Sequence, residues 1–330
     1  MKAPFPWFGG KSRAAGLVWP RLGPVPNYVE PFAGSLAVLL ARESIPNLET
    51  VNDLDGNIAN FWRALAHEPD SVAHFADWPV NEIDLHARHR WLVETGRERA
   101  LRLRSDPEYF DAKVAGWWVW GISQWIGSGW CSGPREAAQA KRPSLGHAGR
   151  GTHRLKMQTP RLSGRATLEA GSIPNPYGAR GIEAGDQPLA SWFSALASRL
   201  RRVRVCCGDW KRVVTPSATW KIGGGMVTGV FLDPPYSHDD RDARLYAEDH
   251  ADVAAECRAW ALEHGDNPLL RIALCGYEGE HDMPPTWERI AWKAGGGYGS
   301  AGDGRGRDNA IRERIWFSPA CLRPQRGLFD

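Results

Sequence analysis

The segment GVFLDPPYSHDD, Gly229–Asp240, joins an acid to two prolines and a tyrosine directly after a short apolar run. Proline fixes φ and has no N–H, so Pro234 and Pro235 must end the strand that this run predicts. The Asp233 carboxylate would then lie at the carboxyl end of a strand, where α/β sheets bind ligands, beside a Pro234 carbonyl without a ladder partner. Two acceptors suit an –NH₂ group, and Tyr236 offers a flat ring for stacking. These residues predict a site for the amino group of a planar base.

A second motif, EPFAGS, joins the first predicted strand to its helix. Gly34 would let the backbone approach a ligand closely. Glu30 and Phe32 are unusual for a phosphate site, because an acid repels an anion. An acid suits a cation instead, such as the ammonium and sulfonium groups of S-adenosylmethionine.

Two further acids end strand-like runs. Asp53 follows Glu30 at about the spacing of the acid that binds ribose hydroxyls in dinucleotide sites, whereas Asp55 is the better cap for the next helix. Asp209 precedes Trp210, so an acid could accept from an adenine amino group while an indole packs on its ring. A plain cap or turn role for Asp209 is equally open.

The N-terminal stretch WFGGKS, Trp7–Ser12, has some features of a phosphate-binding loop. Phe5 stands where that loop needs a glycine, and no strand precedes it, so we reject a Walker nucleotide site. Lys11 could also lie exposed on a flexible arm, and this alternative stays open on the residues alone.

The whole chain has 330 residues, a formal net charge of +3 and 42% hydrophobic residues, enough for one large domain or two ordinary ones. No run of 18 or more apolar residues and no charged-then-apolar leader occurs, so the sequence predicts a soluble, non-secreted protein. The six cysteines show no CxxC spacing. We therefore expect neither a disulfide framework nor a zinc site, and a reducing, cytoplasmic location.

Strand and helix patterns alternate at both ends of the chain. The first strand is expected at Asn27–Phe32, followed by a helix over Ser35–Arg42 that Ser35 could cap. The alternation resumes with a helix at Leu189–Leu200 and ends in two segments that could pair as an antiparallel ribbon, Thr286–Ala294 and Ile311–Phe317. Such alternation predicts an α/β fold with a doubly wound parallel sheet.

Helical patterns replace the alternation in residues 69–188. The strongest runs from Asp106, as cap, to Gly127. Five tryptophans occur in and just after it, within Trp117–Trp130. We interpret most of them as the core of an inserted helical domain. The alternative is that Trp125 or Trp130 reaches a nucleobase.

The same insertion carries a basic stretch, Pro134–Arg165, with eight Lys or Arg and a single acid. It is rich in Gly, Pro, Ser and Thr and has no apolar periodicity, which is typical of a solvated loop. Alternatively, it orders on a polyanion, where Lys and Arg replace the counterions of phosphates.

The motifs WFGGK, VEPFAGS, NDLDGN, CGDW and DPPYS, in this order, resemble those of the Dam-like DNA adenine methyltransferases, including many phage-borne ones. The resemblance covers about Lys2–Leu65 and Leu189–Phe317, and the insertion matches in position and character only. It implies a Rossmann-like doubly wound methyltransferase sheet in residues 1–68 and 189–320. It also implies a mainly helical, DNA-binding target-recognition insertion at 69–188, a mobile Gly-rich loop at 295–306 and a tail at 321–330.

The resemblance also assigns the site, with S-adenosylmethionine as cofactor, double-stranded DNA as partner and no metal. The cofactor site would comprise Trp7, Lys11, Glu30, Phe32, Gly34, Asp53, Asp209, Trp210 and Asp233. The catalytic segment would be Asp233, Pro234, Pro235 and Tyr236. DNA contacts would come from Arg135, Lys141, Arg142, Arg150 and Arg154. Many members carry a second glycine two residues after the first, and here Leu36 stands at that place.

The implied activity is site-specific methyl transfer to the 6-amino group of an adenine flipped out of duplex DNA. A DPPY segment also serves transfer to the 4-amino group of cytosine, and the chemistry of these residues does not separate the two bases. From another class of function, an inactive DNA-binding module on the same fold stays open, although the intact Asp-Pro-Pro-Tyr set argues against it.

Overall fold

The computed structural model describes residues 1–5, 7, 11–43, 48–106, 108–125, 130–131, 188–235, 253–292 and 312–324. Its strands are β1 (Asn27–Glu30), β2 (Leu48–Asp53), β3 (Val203–Cys207), β4 (Thr228–Leu232), β5 (Leu270–Tyr277), β6 (Glu288–Ala291) and β7 (Glu313–Phe317). Its α-helices are α1 (Ala15–Leu22), α2 (Ala37–Leu40), α3 (Gly56–His67), α4 (Pro69–Ala76), α5 (Glu82–Ser105), α6 (Ala112–Gln124), α7 (Leu189–Leu200) and α8 (Val253–His264).

The strands form one seven-stranded sheet in the order β3-β2-β1-β4-β5-β7-β6. The first five strands in this order pair in parallel, and β7 runs antiparallel to both β5 and β6. The predicted closing ribbon is therefore present. The strand order reverses direction between β1 and β4, and such a switch point opens a crevice at the carboxyl ends of the strands.

Side chains of successive strand residues enter two hydrophobic cores, one on each face of the sheet. Tyr28 and Phe231 belong to the core that contains α3 and α7, whereas Val29, Val230 and Leu232 belong to the core that contains α8. All five are almost completely buried. Helices cover both faces, so the predicted doubly wound α/β architecture is confirmed.

The connection after β1 differs from the sequence prediction. The strand ends at Glu30 rather than at Phe32, and α2 is only four residues long. The expected cap at Ser35 is wrong, because Leu36 occupies the N-cap position with φ 55° and no side chain caps the helix. A left-handed residue at this place turns the chain sharply and leaves Ser35 outside the helix.

The sequence predicts Asp106 as the cap of the tryptophan-rich helix, but helix α6 begins only at Ala112. Asp111 is its cap and accepts a hydrogen bond from Val114 N at 2.9 Å. Asp106 instead follows α5 and accepts from the backbone N–H groups of Glu108 and Tyr109. Both acids can cap, and tertiary packing decides between them.

Helices α4, α5 and α6 of the 69–188 segment pack directly on the sheet domain. The rings of Phe5, Phe61 and Trp118 meet with centroids 5.0–5.9 Å apart. Trp130 is also buried, and its Nε1 donates to the Trp118 carbonyl at 3.1 Å. Trp125 is half-buried and stacks on His89. These tryptophans therefore serve packing, as predicted, but they pack in the core of the sheet domain and not in a separate core of the insertion.

Three predicted features lie outside the described residues: the basic stretch Pro134–Arg165, the Gly-rich loop at 295–306, and Tyr236. Within the described ranges, no helix has both the length and the apolar character needed to cross a membrane. The six cysteines are free thiols.

Candidate active site

The Asp233 carboxylate lies directly after β4, at the edge where β1 and β4 end side by side. Its Oδ1 is 3.0 Å from Lys11 Nζ. Lys11 is only 7% exposed, so the alternative of an exposed lysine on a flexible arm is wrong. An N-terminal lysine and the acid of the DPPY segment therefore form a buried ion pair.

Lys11 also lies 3.8 Å from the carboxylate of Glu313, the first residue of β7. Burial would lower the pKa of Lys11, but the Asp233 and Glu313 carboxylates outweigh burial and raise it well above the ordinary range. The ammonium is 5.5 Å from the centroid of the Trp292 ring. Lys11 is thus a permanent cation at the end of β4.

Glu30 is placed differently from the cofactor role that the resemblance implies. Its side chain is buried and accepts a hydrogen bond from Tyr28 Oη at 3.0 Å. Burial raises the pKa of Glu30 to about 8. The residue belongs to the protein interior and does not line the adjacent cavity.

A cavity of about 340 Å³ opens at this edge of the sheet. Its lining includes the aromatic residues Trp7, Phe32 and Trp210. The rings of Phe32 and Trp210 lie 6.0 Å apart between centroids, and Trp210 is 5% exposed. Planar groups can pack against such walls. The cavity lies at the topological switch point, where α/β sheets bind nucleotide-like ligands.

The turn at Gly34 brings the backbone close to the cavity. Gly34 has φ 46°, and its N–H donates to Asp53 Oδ2 at 2.9 Å. A Cβ at this position would come within 2.6 Å of the Trp7 ring, so only glycine fits beneath that indole. Trp7, Gly34 and Asp53 therefore form one wall of the cavity.

The carboxyl of Asp53 caps its own turn as well, since Oδ1 accepts from Asp55 N at 2.9 Å. Burial and the neighbouring Asp55 raise the pKa of Asp53 to about 7. Asn52 supports the same region from behind, because its Nδ2 donates to the carbonyls of Pro31 and Gly208. These bonds tie the loops after β1 and β3 to the end of β2.

Acidic side chains outnumber basic ones in the cavity lining. The lining contains five carboxylate residues and one lysine: Asp53, Asp55, Asp209, Asp233, Glu256 and Lys211. Asp209 accepts from Lys211 N and caps a short 3₁₀ helix, so its predicted capping role is present. Such a lining repels a polyphosphate and attracts a cation.

The structure brings together seven of the nine residues expected at the cofactor: Trp7, Phe32, Gly34, Asp53, Asp209, Trp210 and Asp233. Pro235 also lines the cavity, Lys11 contacts Asp233 from beside it, and Glu30 is buried apart from it. Tyr236 and the five basic residues expected at DNA lie outside the described residues.

The motifs assign no role to two residues of this region, Asn52 and Glu313. Asn52 lies within the motif NDLDGN, but nothing in the sequence separates it from its neighbours. Glu313 has a detectable signal, because it shares a strand face with Ile315 and Phe317, both fully buried. A carboxylate in an otherwise apolar alternation indicates a buried partner.

The fold and this edge define a Rossmann-like α/β protein with an acidic, aromatic-walled cavity at its switch point. Residues 7–86 match the family model of D12 class N6 adenine-specific DNA methyltransferases. The resemblance to Dam-like adenine methyltransferases is thereby confirmed for this N-terminal part of the chain, and adenine DNA methylation is the activity of the matched family. A comparison with curated proteins gave no match.

Proposed function

We propose that the protein transfers the methyl group of S-adenosylmethionine to the 6-amino group of an adenine flipped out of double-stranded DNA. The observation that carries this proposal is the acidic cavity ending at Asp233, whose carboxylate Lys11 holds at 3.0 Å. The adenine-specific family favours adenine over the 4-amino group of cytosine.

The volume, the aromatic walls and the charge of the cavity support S-adenosylmethionine as the cofactor. A volume of about 340 Å³ and three aromatic residues suit a purine nucleoside. The excess of carboxylates suits a molecule with ammonium and sulfonium groups, and it disfavours a dinucleotide or nucleoside triphosphate. We assign Asp53 to the ribose hydroxyls and the walls formed by Trp7, Phe32 and Trp210 to the adenine ring and its neighbours.

The chain's own residues then orient the amino group that receives the methyl. Asp233 and the Pro234 carbonyl accept hydrogen bonds from its two N–H groups, which favours a more tetrahedral nitrogen with its lone pair directed at the methyl donor. As the N–C bond forms and the S–C bond breaks, the amino nitrogen gives up one proton to solvent. Tyr236 stacks on the flipped base. Extruding the base from the duplex costs a few kcal/mol, which contacts in the pocket must offset. The bound cofactor supplies an electrophilic methyl group on a sulfonium. Preorganised acceptors at this place provide the electrostatic part of catalysis.

We assign target recognition to the 69–188 insertion, with backbone or base contacts from its basic stretch. Neutralising Lys141 and Arg142 together should weaken DNA binding and reduce its dependence on salt, because fewer counterions are released. An unchanged salt slope would exclude this pair from the interface. Action on cellular DNA also agrees with the predicted cytoplasmic location.

The test is methylation of plasmid DNA by the full chain, with labelled cofactor and digestion of the product to nucleosides. N6-methyladenine is expected from the wild type, and sequencing that detects modified bases gives the target site. Asp233→Asn should lower the rate about 100-fold or more, the loss typical of a preorganised acceptor or donor. Asp266→Asn, at an exposed position after α8, is the matched control and should be fully active.

Three results would refute the proposal. Methylated cytosine as the product would move the activity to the other base. Wild-type rates for Asp233→Asn would remove the assigned acceptor. Binding of DNA without any methyl transfer would support an inactive DNA-binding module instead.

A further inference from the structure

Lys11 lies between two buried carboxylates that come from distant parts of the chain. Its Nζ is 3.0 Å from Asp233 Oδ1 and 3.8 Å from Glu313 Oε2. The side chains are 8%, 16% and 4% exposed, respectively. Asp233 belongs to the proposed active site, whereas Glu313 begins the last strand of the sheet and belongs to none of the recognised motifs.

The sheet topology explains why Glu313 reaches this edge. Strand β7 is antiparallel, so it begins where β5 ends, with Glu313 opposite Tyr277. Ile315 and Phe317 follow on the same face and are completely buried. Burial of a carboxylate in this row is unfavourable unless a cation compensates it, and Lys11 is that cation.

Within the part of the chain that the structure describes, three further titratable groups near this cluster are mainly uncharged at neutral pH. Burial raises the pKa of Glu30 to about 8 and the pKa of the Cys275 thiol well above its usual range. Burial also raises the pKa of Tyr28, which donates to Glu30. The charged groups that the described ion pairs bring together here are the Lys11 ammonium and the carboxylates of Asp233 and Glu313.

We propose that Glu313 is a positioning residue for methyl transfer, acting through Lys11 on Asp233. Held by Glu313 on one side, Lys11 Nζ fixes the orientation of the Asp233 carboxylate at the cavity edge. Because Lys11 is shared between two carboxylates, it neutralises Asp233 only in part, and Asp233 stays a strong hydrogen-bond acceptor. This inference rests on the proposed function, since it assigns a residue to the same reaction.

The perturbation is Glu313→Gln, which keeps the size of the side chain and removes its charge. Lys11 would then pair with Asp233 alone, so the Asp233 carboxylate becomes a weaker hydrogen-bond acceptor. Lys11 would also lose the second carboxylate that holds its ammonium in place, so it would no longer fix the orientation of Asp233. We expect kcat to fall about tenfold or more, since a misplacement of 1 Å can cost ~100-fold. The KM for S-adenosylmethionine should stay within about twofold, because Glu313 does not line the cavity.

The pH profile provides a readout that a purely structural role would not change. Loss of the Glu313 charge favours the ionised form of Asp233, so the acid limb of kcat should move to lower pH. Glu288→Gln is the matched control. Glu288 lies on the neighbouring strand β6 and pairs with Arg21 and Arg323, apart from Lys11. Its variant should keep the wild-type kcat and acid limb.

A double-mutant comparison tests whether Glu313 acts through Lys11. In the Lys11→Met background the two carboxylates repel each other, so adding Glu313→Gln should leave kcat unchanged or raise it. A further fall in the double variant would overturn the proposal, and this comparison remains decisive even if Glu313→Gln alone does not fold.

The outcomes separate this inference from the proposed function. If the wild type methylates adenine and Glu313→Gln behaves like Glu288→Gln, the role proposed for Glu313 is wrong while the proposed function stands. A rise in KM with an unchanged kcat also overturns it. A wild type without methyl transfer overturns the proposed function and this inference together.

Discussion

Replacement of Lys11 by methionine is the most informative single test of the active-site geometry. The substitution keeps most of the aliphatic volume and removes the ammonium that lies 3.0 Å from Asp233 and 3.8 Å from Glu313. Two carboxylates would then face each other in a largely buried site. Both the stability and the ionisation of the site should change.

The magnitude follows from the burial of the pair. Breaking a buried ion pair costs about 3–5 kcal/mol, and we take about 3 kcal/mol because Asp233 borders a cavity. One pKa unit corresponds to about 1.4 kcal/mol, so the acid limb of kcat should move up by roughly two pH units. The sign is upward because loss of a cation and exposure to a second carboxylate both disfavour ionised Asp233.

The stability change should depend on pH in a definite direction. The folded-state pKa of Lys11 is raised, so its contribution is fully present below the unfolded-state pKa of about 10.4 and is lost only at higher pH. In Lys11→Met, the folded-state pKa values of the two facing carboxylates should be raised, so a fall in pH favours folding. The deficit in unfolding free energy should therefore be largest near pH 8 and smaller near pH 5.

The assay is single-turnover methylation from about pH 5 to about pH 9, with urea unfolding near pH 5 and near pH 8. Lys221→Met, at an exposed lysine, is the matched control and should follow the wild type. An acid limb at the wild-type pH in Lys11→Met would show that the ion pair does not set the ionisation of Asp233. That result would refute the reasoning.

Three other predictions concern the cavity and the loop beside it. Because the pKa of Asp53 is about 7 and its ionised form is the better acceptor, cofactor affinity measured by calorimetry should rise with pH through about 7, and Asp53→Asn should abolish that rise. Gly34→Ala should lower cofactor affinity about tenfold, because a left-handed backbone costs a residue with a Cβ about 1–2 kcal/mol and because this Cβ would displace Trp7. The control variant Gly16→Ala, whose Cβ would lie in open space, should bind the cofactor as the wild type does. Leu36→Gly should relieve about 1 kcal/mol of backbone strain but remove a completely buried side chain, whose truncation costs about 2–5 kcal/mol. Urea unfolding should therefore show a lower free energy of unfolding, and a more stable variant would contradict this reasoning.

The sheet and the position of its functional edge follow from local patterns in the sequence. The run Leu189–Leu200 has the periodicity of a helix, and the structure contains this helix with the expected bounds. Asp53 ends a strand, as its strand-like run predicts. The prolines after Asp233 mark a strand end, and strand ends in a parallel sheet share one edge. Local chemistry therefore suffices to place Asp233, Asp53 and Trp210 together.

Side-chain direction and partners could not be predicted in the same way. Glu30 and Phe32 belong to one motif, yet Glu30 is the last strand residue and faces Tyr28, whereas Phe32 follows the strand end and lines the cavity. Where a strand stops is set by tertiary contacts. The partnership of Lys11 with Glu313 depends on the pairing of β7 with β5, which no local pattern encodes.

The position of Lys11 also resolves an electrostatic conflict in the cofactor assignment. A lysine that lined a cavity for a sulfonium without an acidic partner would repel its ligand, with about 1 kcal/mol or more at 4 Å even at the dielectric constant of water. Lys211, which does line the cavity, pairs with Glu256 at 2.9 Å. In the structure Lys11 lies beside the cavity, and its charge is neutralised by Asp233 and Glu313. Two carboxylates outnumber one ammonium, so the cluster adds to the negative potential of the cavity. The same lysine can thus hold Asp233 for the base and leave the cofactor side attractive to a cation.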